Sequence, residues 1–555
     1  MVQTHRSEEF ELLRRVSFDS AQSSDSPRER DYADDLSRKF RVRGICYSWR
    51  YWVGVPLLLV HQASSRLRHC RHSLQSRKSR LYWVLATAPG FVITFWIIFT
   101  AIFRPSYNTP PQHYKILERK CRGSRDPGRG NVNNEKVFIA ATLYDRNGLL
   151  VGGEWGTAVT ELVQILGPEN VHVSIYENDP DALAQDALYE LGTRLECESL
   201  SLKLYAGYIF THNVFAGNKS LVSEHLPLEN IPRVTLPFGG SRIKRIAFLA
   251  EVRNRALRSL HDSPIQFDKL LYLNDVMFNP IDAVQLLFST NIDAYGRAQY
   301  SAACAVDFVN AFKFYDRFAT RDLEGYEMGV PFFPWFTAAG KAASRQDVLA
   351  QKDAVRVRAC WGGMTAFDAS WFQKDGTDVE HTPDNVGHER PDSNVTGMQL
   401  LPLRFRYELD PFWDASECCL IHADLTYLRY GRKNTDDTGI YTNPYVRVAY
   451  DSNTLSWLPY TRRLERLYPF VHNIVNILAS LPAKNPRRLE RPGDETTELV
   501  WEYDPSRAEK GAYQYRKRII SPGRFCGARR LSVLRENIKE GEKNFEKIPL
   551  PSPPG

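Results

Sequence analysis

Cysteine is scarce in this 555-residue sequence, and no two cysteines form a Cys-x-x-Cys pair. Nine cysteines in a chain of this length are too few for a fold that depends on disulfides in place of a core, and their spacing matches no metal-binding motif. The adjacent residues Cys418 and Cys419 are typical of one buried thiol beside an unrelated neighbour. The chain is therefore expected to fold around a hydrophobic core of its own.

The sequence also lacks a large excess of either positive or negative residues. The chain has 72 basic and 65 acidic residues, a net charge of +7, and its basic residues are not confined to one stripe. This balance speaks against a nucleic acid polymer as a partner. Apolar residues make up 43% and aromatic residues 12% of the sequence, a profile typical of a globular protein with a substantial core.

One long apolar run stands out near the N-terminus. Leu81 to Phe103 contains no charged residue and is as long as the roughly 20 apolar residues that cross a bilayer. It predicts one transmembrane helix, and the polar tail of about eighty residues before it excludes a cleaved signal peptide. Basic residues flank both ends, so we take the orientation from the two downstream sequons at Asn218 and Asn394, which favour a luminal C-terminal domain.

Changes in composition divide the chain further. The N-terminal tail is rich in Ser, Arg and Asp, and several prolines and glycines without apolar periodicity follow the apolar run, which is typical of an extended stem. The predicted segments are a disordered cytoplasmic tail (1–80), a transmembrane helix (81–103), a stem (104–134), a catalytic domain (135–430), its C-terminal extension (431–530) and a flexible tail (531–555).

The predicted domain alternates strands and helices. Strands are predicted at Val137 to Leu143, Val171 to Tyr176 and Asp268 to Leu273, each followed by a helix. Asn279 before Pro280 is predicted to cap the last of these helices, and Ser241 to cap a further helix before the third strand. This α/β pattern predicts a largely parallel sheet covered on both faces, which binds ligands at the carboxyl ends of its strands. The acidic residues at those ends are Asp145, Glu177, Asp179 and Asp275.

Asp275 is the sharpest of these candidates. It follows the buried strand residues Leu271-Tyr272-Leu273, where its charge must meet water or a cation. Mg²⁺ and Mn²⁺ are commonly held by one or two carboxylates together with substrate phosphates. Asp275 is therefore a candidate metal ligand, and the structural alternative is that it closes a turn before the next helix.

Two further patterns are typical of a phosphate-bearing ligand. Arg253 and Asn254 lie on a predicted basic helix, where an arginine can donate two hydrogen bonds to a pyrophosphate or can belong to a solvated face. Gly362 and Gly363 end a predicted strand, and paired glycines permit either close ligand approach or an ordinary tight turn.

The last candidate pair is Glu417 and His422. The two residues could meet at one site, with the histidine as a metal ligand or proton carrier. A lone histidine is more often structural, and the Glu-x4-His spacing does not distinguish these interpretations.

Five sequence blocks occur in fixed order and cover roughly residues 135 to 430: FIAATLYDRNGLL, PFGGSRIKRIAFLAEVRNRAL, FDKLLYLNDVMFNP, CWGGMTAFDA and SECCLIHADL. Together they resemble the fungal α-1,3-mannosyltransferase family associated with cryptococcal capsule synthesis. The resemblance implies a GT-A-like, Rossmann-type nucleotide-sugar transferase domain behind one N-terminal transmembrane helix. It also implies GDP-mannose as donor, a mannose-containing glycan as acceptor, and a single-pass type II protein of the Golgi or another secretory-pathway membrane.

Similarity to GT-A enzymes implies roles for the candidate residues. The implied ligands of a divalent metal, Mn²⁺ or Mg²⁺, are Asp275 and His422, and the implied catalytic residues are Asp275 and Glu417. The similarity also implies Gly362 and Gly363 as the glycine loop, and with Glu177, Arg253 and Asn254 from the patterns above they complete the predicted donor site. The sequence departs from the Asp-x-Asp metal motif, since Leu273 occupies the first acidic position.

Two other functions stay open on the sequence alone. The departure from Asp-x-Asp suits a non-catalytic, transferase-like membrane scaffold for polysaccharide synthesis, because a fold does not imply a function. A related transferase could also use another nucleotide sugar, which would keep the chemistry and change the pocket.

Overall fold

The computed structural model describes residues 77–178, 180–199, 213–215, 219–224, 226–373, 394–395, 398–433, 435–507, 511–535 and 545–552. The chain divides into two compact units. Within the described residues, the smaller unit contains 77–106 and 463–467, and the larger unit contains the remainder.

The smaller unit contains one long helix, α1 (Arg77–Phe103). Large apolar side chains such as Phe91, Phe95 and Phe103 are exposed on it. The apolar run near the N-terminus is thus confirmed as a helix. Within the described residues, however, no helix combines the length and the apolarity needed to cross a membrane, so the predicted transmembrane span is not confirmed.

The larger unit alternates helices and strands along the chain. Its α-helices are α2 (Gln112–Gly123), α3 (Glu154–Leu166), α4 (Ala182–Ser199), α5 (Arg245–Ala256), α6 (Arg258–Asp262), α7 (Pro280–Ser289), α8 (Ala343–Leu349), α9 (Glu417–Tyr430), α10 (Ser452–Thr461) and α11 (Tyr468–Leu478). Its strands are β1 (Val137–Leu143), β2 (Val171–Asn178), β3 (Asn213–Phe215), β4 (Lys219–Glu224), β5 (Arg233–Thr235), β6 (Ser241–Ile243), β7 (Lys269–Leu273), β8 (Ala302–Asn310), β9 (Lys313–Phe314), β10 (Arg321–Asp322), β11 (Val355–Ala359), β12 (Met364–Asp368), β13 (Asn394–Val395), β14 (Met398–Gln399), β15 (Trp413–Ala415), β16 (Ile440–Ala449), β17 (Glu495–Tyr503), β18 (Gly511–Ile519), β19 (Gly527–Arg529), β20 (Ser532–Leu534) and β21 (Phe545–Lys547).

Eleven of these strands form the central sheet, in the order β10-β11-β16-β8-β12-β7-β1-β2-β4-β3 with β9 beside β8. The neighbours β4, β2, β1 and β7 are parallel, as are β8 and β16. β12 runs antiparallel between β7 and β8. The predicted α/β class and parallel core are confirmed, and the sheet as a whole is mixed.

Both faces of the sheet are covered, as predicted. Phe138 and Tyr272 alternate with Ile139 and Leu273 along β1 and β7, so each strand contributes side chains to two separate cores. The first core includes residues of α5 and α9, and the second includes residues of α3 and α7. Full burial of each such side chain contributes about 1.5–3 kcal/mol, and together these faces hold β7 rigidly in the middle of the sheet.

The two predicted helix caps have different outcomes. The side chain of Asn279 accepts a hydrogen bond from the Ile281 N–H at 2.9 Å, which confirms it as the cap of α7. The prediction for Ser241 is wrong, because Ser241 pairs with Thr235 in a two-stranded sheet and α5 begins only at Arg245. The helix begins after Lys244 because the buried ammonium group of Lys244 donates to three backbone carbonyls from a distant part of the chain.

The predicted extended stem is also corrected. α2 lies within it and buries Tyr114, Leu117 and Cys121, which share one helical face. Gln285 on α7 donates to the Tyr114 carbonyl at 2.8 Å, and Asn443 donates to the Tyr114 hydroxyl at 2.7 Å. The second half of the stem is therefore part of the folded unit.

The C-terminal region also packs on the domain. β16 lies inside the central sheet, and β17 and β18 form a long hairpin. The predicted flexible tail, 531–555, includes β20 and β21, which pair with each other, so flexibility over those strands was wrongly predicted. Residues 1–76 of the predicted N-terminal tail lie outside the described residues.

Among the described residues, two disulfides join elements of the larger unit, Cys304–Cys360 and Cys419–Cys526. The scarcity of cysteine therefore did not exclude local crosslinks. Cys418 is a buried free thiol, as predicted for one member of the adjacent pair, and Cys419 is in a disulfide.

Candidate active site

The turn after β7 is fixed from three sides. The Asn274 N–H donates to the Gly363 carbonyl at 2.9 Å, and the indole N–H of Trp155 on α3 donates to the Asn274 carbonyl at 3.2 Å. The Asn274 side-chain oxygen accepts from Trp361 Nε1 at 3.3 Å. Asp275 therefore leaves the sheet from a backbone that neighbouring elements hold in place.

Arg253 connects this turn to α9. Its Nη1 donates to Asn274 Oδ1 at 3.1 Å, and its Nε donates to Glu417 Oε1 at 3.0 Å. The guanidinium carbon lies 4.6 Å from the centre of the Trp361 ring. Burial alone would lower the pKa of Arg253, but its interactions with Cys418 and with the Glu417 carboxylate raise the pKa above its ordinary value. Arg253, which was predicted to contact the donor, is thus a buried cation whose hydrogen bonds go to Asn274 and Glu417.

Glu417 begins α9 and is only 3% exposed. Its Oε1 also accepts a weak hydrogen bond from the Cys418 thiol at 3.5 Å. The positive end of the helix dipole and the Arg253 guanidinium both stabilise a negative charge at this position. The structure therefore brings Glu417, Arg253 and the Asp275 turn together, with Glu417 inside an ion pair.

Asp275 is half-buried, and burial raises the pKa of its carboxyl to about 6. The Arg253 charge lowers this pKa, and the negative charge of Asp316 raises it. The Asp275 carboxylate thus lies within electrostatic reach of one cation and of a second carboxylate.

Asp307 and Asp316 form a carboxyl pair that the sequence patterns did not predict. Asp307 on β8 is fully buried, accepts from the Asp316 N–H at 3.2 Å and from the Tyr450 hydroxyl at 3.2 Å. Burial, followed by the Asp316 charge, raises the pKa of Asp307 well above its ordinary value. An aspartate inside the apolar run Ala302 to Val309 was a signal for this pair, because such a residue needs a partner.

The glycine pair forms the wall beside the Asp275 turn. Gly362 and Gly363 both have φ of +66°, a conformation that other residues adopt only with strain. A Cβ on Gly362 would lie 1.9 Å from the Ala305 carbonyl oxygen. The glycines thus form the tight turn that was one of the two predicted alternatives, with Trp361 in the core. That turn also adjoins the candidate site.

We expect Gly362→Ala to destabilise the larger unit by several kcal/mol. The left-handed conformation alone costs about 1–2 kcal/mol for alanine, and the Ala305 oxygen is backbone and cannot move away cheaply. Gly296→Ala is the matched control, because Gly296 has φ of +77° but no other group within 4 Å of the place that a Cβ would take. Chemical denaturation of both variants measures the difference, and equal losses would contradict the steric argument.

Glu177 lies at the carboxyl end of β2, as predicted, but in a different acidic pair. Its Oε1 accepts from the Asp145 N–H at 2.9 Å, while its buried Oε2 has no hydrogen-bond partner among the described residues. Burial raises the pKa of Glu177 to about 8. Asp145 caps the following loop by accepting from the N–H groups of Leu150 and Val151. The candidate Asp179 lies outside the described residues.

This raised pKa predicts a pH-dependent stability. A carboxyl whose pKa is higher in the folded than in the unfolded state stabilises the fold fully below pH 4.5, and that stabilisation is lost as pH rises through about 8. Glu177→Gln imitates the protonated acid, so it should flatten the decline between pH 5 and 9 and be more stable than the parent at pH 9 by a few kcal/mol. Urea melts across this range test it, with exposed Glu161→Gln as control. A parent curve that rises through the window would refute the assignment.

Two predicted site residues have other surroundings. Both polar atoms of the Asn254 side chain are bonded to the backbone of Phe405, so Asn254 anchors that segment and its predicted donor contact is corrected. His422 Nδ1 lies 2.7 Å from the Cys418 carbonyl, and its ring packs on Phe367. Within the described residues, His422 belongs to a cluster of metal-binding side chains that does not include Asp275, so the two are not seen as a shared ligand set.

The described residues contain one group of three metal-binding side chains with ligand atoms within 4.8 Å of one another, Cys304, Cys360 and His422. A divalent cation at Asp275 fits the residues present only if phosphate oxygens supply further ligands, as is common for Mg²⁺. The buried Asp316 Oδ2, which has no hydrogen-bond partner among the described residues, is a second candidate oxygen ligand.

Comparison with known proteins adds the family. The model of the family described as cryptococcal mannosyltransferase 1 matches residues 136–424, just over half of the chain and the whole stretch from β1 into α9. The chain belongs to this family. Within the cryptococcal mannosyltransferase 1 family match lie Asp275, Arg253, the glycine pair, Glu417 and His422. No curated protein matches the sequence.

Two solved structures show distant likeness. A mannosyltransferase from Pyrobaculum calidifontis, solved in complex with GDP-Man and Mn²⁺, is 10% identical, with 72% of this chain and 78% of that chain covered and a TM-score of 0.27. Mannosyl-3-phosphoglycerate synthase from Rubrobacter xylanophilus is 12% identical, with 76% and 94% covered and a TM-score of 0.26.

Proposed function

We propose that this protein transfers mannose from GDP-mannose to a mannose-containing glycan, forming an α-1,3 linkage, in a GT-A-like domain. The observation that carries the proposal is Asp275, a half-buried carboxylate presented at the end of the central strand β7 inside a mannosyltransferase family match. Open α/β sheets bind ligands at this edge. The linkage and the donor follow the family resemblance.

The charges around Asp275 suit the departure of a diphosphate. When bound, a divalent cation, Mn²⁺ or Mg²⁺, would offset the negative charge that develops on the leaving group. Asp275 would hold that cation, and Asp316 lies near enough to shift the pKa of Asp275. Gly362 and Gly363 form a tight turn packed against Ala305 and Val276, and the Gly363 carbonyl accepts from the Asn274 N–H, so this turn helps to hold the residue before Asp275.

The proposed role of Glu417 differs from that of an exposed acid or base. Its carboxylate is buried and paired with Arg253, whose other end holds Asn274. We propose that Glu417 and Arg253 are positioning residues that fix the Asp275 turn. Glu177, whose buried Oε2 has no hydrogen-bond partner within the described part of the chain, stays a candidate residue of the donor site.

The proposed location is a secretory-pathway membrane such as the Golgi, with the catalytic unit in the lumen. Support comes from the two disulfides, because disulfides persist in oxidising compartments. The exposed apolar side chains of α1 support attachment to a membrane. N-glycan on Asn394 or Asn218 of protein from sealed vesicles would support this orientation, and digestion of the catalytic unit by added protease would contradict it.

A donor panel tests the reaction. The full chain should hydrolyse GDP-mannose, and transfer mannose from it, in preference to other nucleotide sugars. Both reactions should require Mn²⁺ or Mg²⁺. If another nucleotide sugar is the preferred donor, the proposed donor is wrong and the proposed glycosyl transfer is retained. Donor binding without hydrolysis or transfer, under every metal condition, would favour the non-catalytic scaffold.

A further inference from the structure

Three side chains that the proposed transfer does not use meet inside the larger unit. Cys304 lies on β8, Cys360 directly follows β11, and His422 lies in α9. Each is at most 1% exposed. Their ligand atoms, two sulfurs and one imidazole nitrogen, all lie within 4.8 Å of one another. Two cysteines and a histidine are a ligand set typical of zinc.

The histidine is oriented toward such a role. Its Nδ1 lies 2.7 Å from the Cys418 carbonyl, to which an Nδ1–H donates, and this tautomer leaves a lone pair on Nε2. Within the described part of the chain, that buried Nε2 has no hydrogen-bond partner. A hydrogen bond from one ring nitrogen to a backbone carbonyl is how metal-binding histidines are commonly held. The His422 ring is therefore already arranged as a ligand.

In the structure the two sulfurs are joined as a disulfide, so the cation and the disulfide exclude each other. We infer that the reduced form of this protein binds one zinc ion through Cys304, Cys360 and His422. A dithiol reductant would pass two electrons and two protons to the sulfurs and become a disulfide itself. Zn²⁺ would then displace both thiol protons to the solvent, which leaves two thiolate ligands.

The distances permit this exchange with small movements. In tetrahedral coordination, the sulfur and nitrogen ligands of zinc lie about 3.5–3.8 Å apart. The two sulfurs, 2.04 Å apart in the disulfide, would have to separate by about 2 Å, and the imidazole nitrogen, which lies within 4.8 Å of them, would have to approach by at most about 1 Å. Rotation of the three side chains can supply these movements. Three protein ligands leave the fourth position for a water molecule.

The site adjoins the candidate active site through the chain itself. Cys360 precedes Trp361, whose indole donates to Asn274 and whose ring covers Arg253. The zinc inference does not depend on mannosyl transfer, since it rests on ligand geometry alone.

Cobalt binding to the full chain tests the inference. The protein is reduced anaerobically with a dithiol, freed of reductant by gel filtration, and titrated with Co²⁺. We expect one equivalent to bind with thiolate-to-cobalt absorption in the near ultraviolet, and Zn²⁺ to displace it. Unreduced protein should show no such absorption. Cys419→Ser/Cys526→Ser, which removes the other disulfide, should behave as the parent.

The ligand variants decide between this site and other thiols. Cys304→Ser/Cys360→Ser should lose the absorption, and His422→Gln, which keeps both thiols, should lose at least about tenfold in Co²⁺ affinity. Parent-like binding by both of these variants would place the metal elsewhere and overturn the inference. So would reduced parent protein that binds no cobalt, or reduced protein whose near-ultraviolet circular dichroism shows that the fold is lost.

Discussion

Asp275→Asn should lower the rate of mannosyl transfer by at least two to three orders of magnitude while the fold survives. Asparagine keeps the size of the side chain and one of its two oxygens. It removes the negative charge that a hard divalent cation requires. Loss of several kcal/mol of leaving-group stabilisation corresponds to such a decrease, because each ~1.4 kcal/mol is tenfold in rate.

Stability separates the metal role from the structural alternative. Burial disfavours the charged form of Asp275 and raises its pKa to about 6, so removal of that charge should not lower the melting temperature at pH 7.5. Transfer rate, melting temperature and Mn²⁺ titration are measured on the variant and on Asp436→Asn, an exposed control. A turn-closing role predicts a lower melting temperature with an unchanged metal response. Parent-like turnover with the same metal dependence would remove Asp275 from the site.

The sequence predicted the elements of the parallel core because their apolar patterns are local. Val137–Leu143 is apolar at every position except Thr142, and Asn279-Pro280 is a helix start that needs no tertiary partner. The prediction that Ser241 caps a helix was wrong because tertiary contacts, and not local sequence, determine where that helix begins. Its cap signal was real, but pairing with Thr235 and the distant carbonyls that bind Lys244 decide where α5 begins.

The same distinction applies to the candidate site. The position of Asp275 at a strand end was predictable, since strand ends can be read along the sequence. The partners of Arg253 were not, because Glu417 is 164 residues away and the pair depends on how α5 and α9 pack on one face of the sheet. His422 was placed with Asp275 by analogy, whereas its neighbours, Cys304 and Cys360, come from other elements that no local pattern connects.

Arg253→Met should destabilise the larger unit by about 3–5 kcal/mol. Methionine retains apolar contact with the Trp361 ring but leaves Glu417 buried without its cation, and removal of one partner of a buried ion pair costs about this much. Any loss of GDP-mannose affinity in this variant would therefore accompany a structural change. Denaturant unfolding measures the free energy, and calorimetry with GDP measures the affinity.

A double-mutant cycle decides whether Glu417 is a positioning residue or an acid or base. Arg253→Met/Glu417→Gln removes both charges, so we expect it to lose less stability than the sum of the two single variants, with a coupling energy of about 1–3 kcal/mol. Glu417→Gln alone keeps an oxygen that accepts from Arg253, so its transfer rate should fall far less than that of Asp275→Asn. If Glu417 transfers a proton, its amide variant should instead be nearly inactive at full stability. The coupling is expected because the Arg253 Nε and Glu417 Oε1 atoms, 3.0 Å apart, are both withdrawn from water.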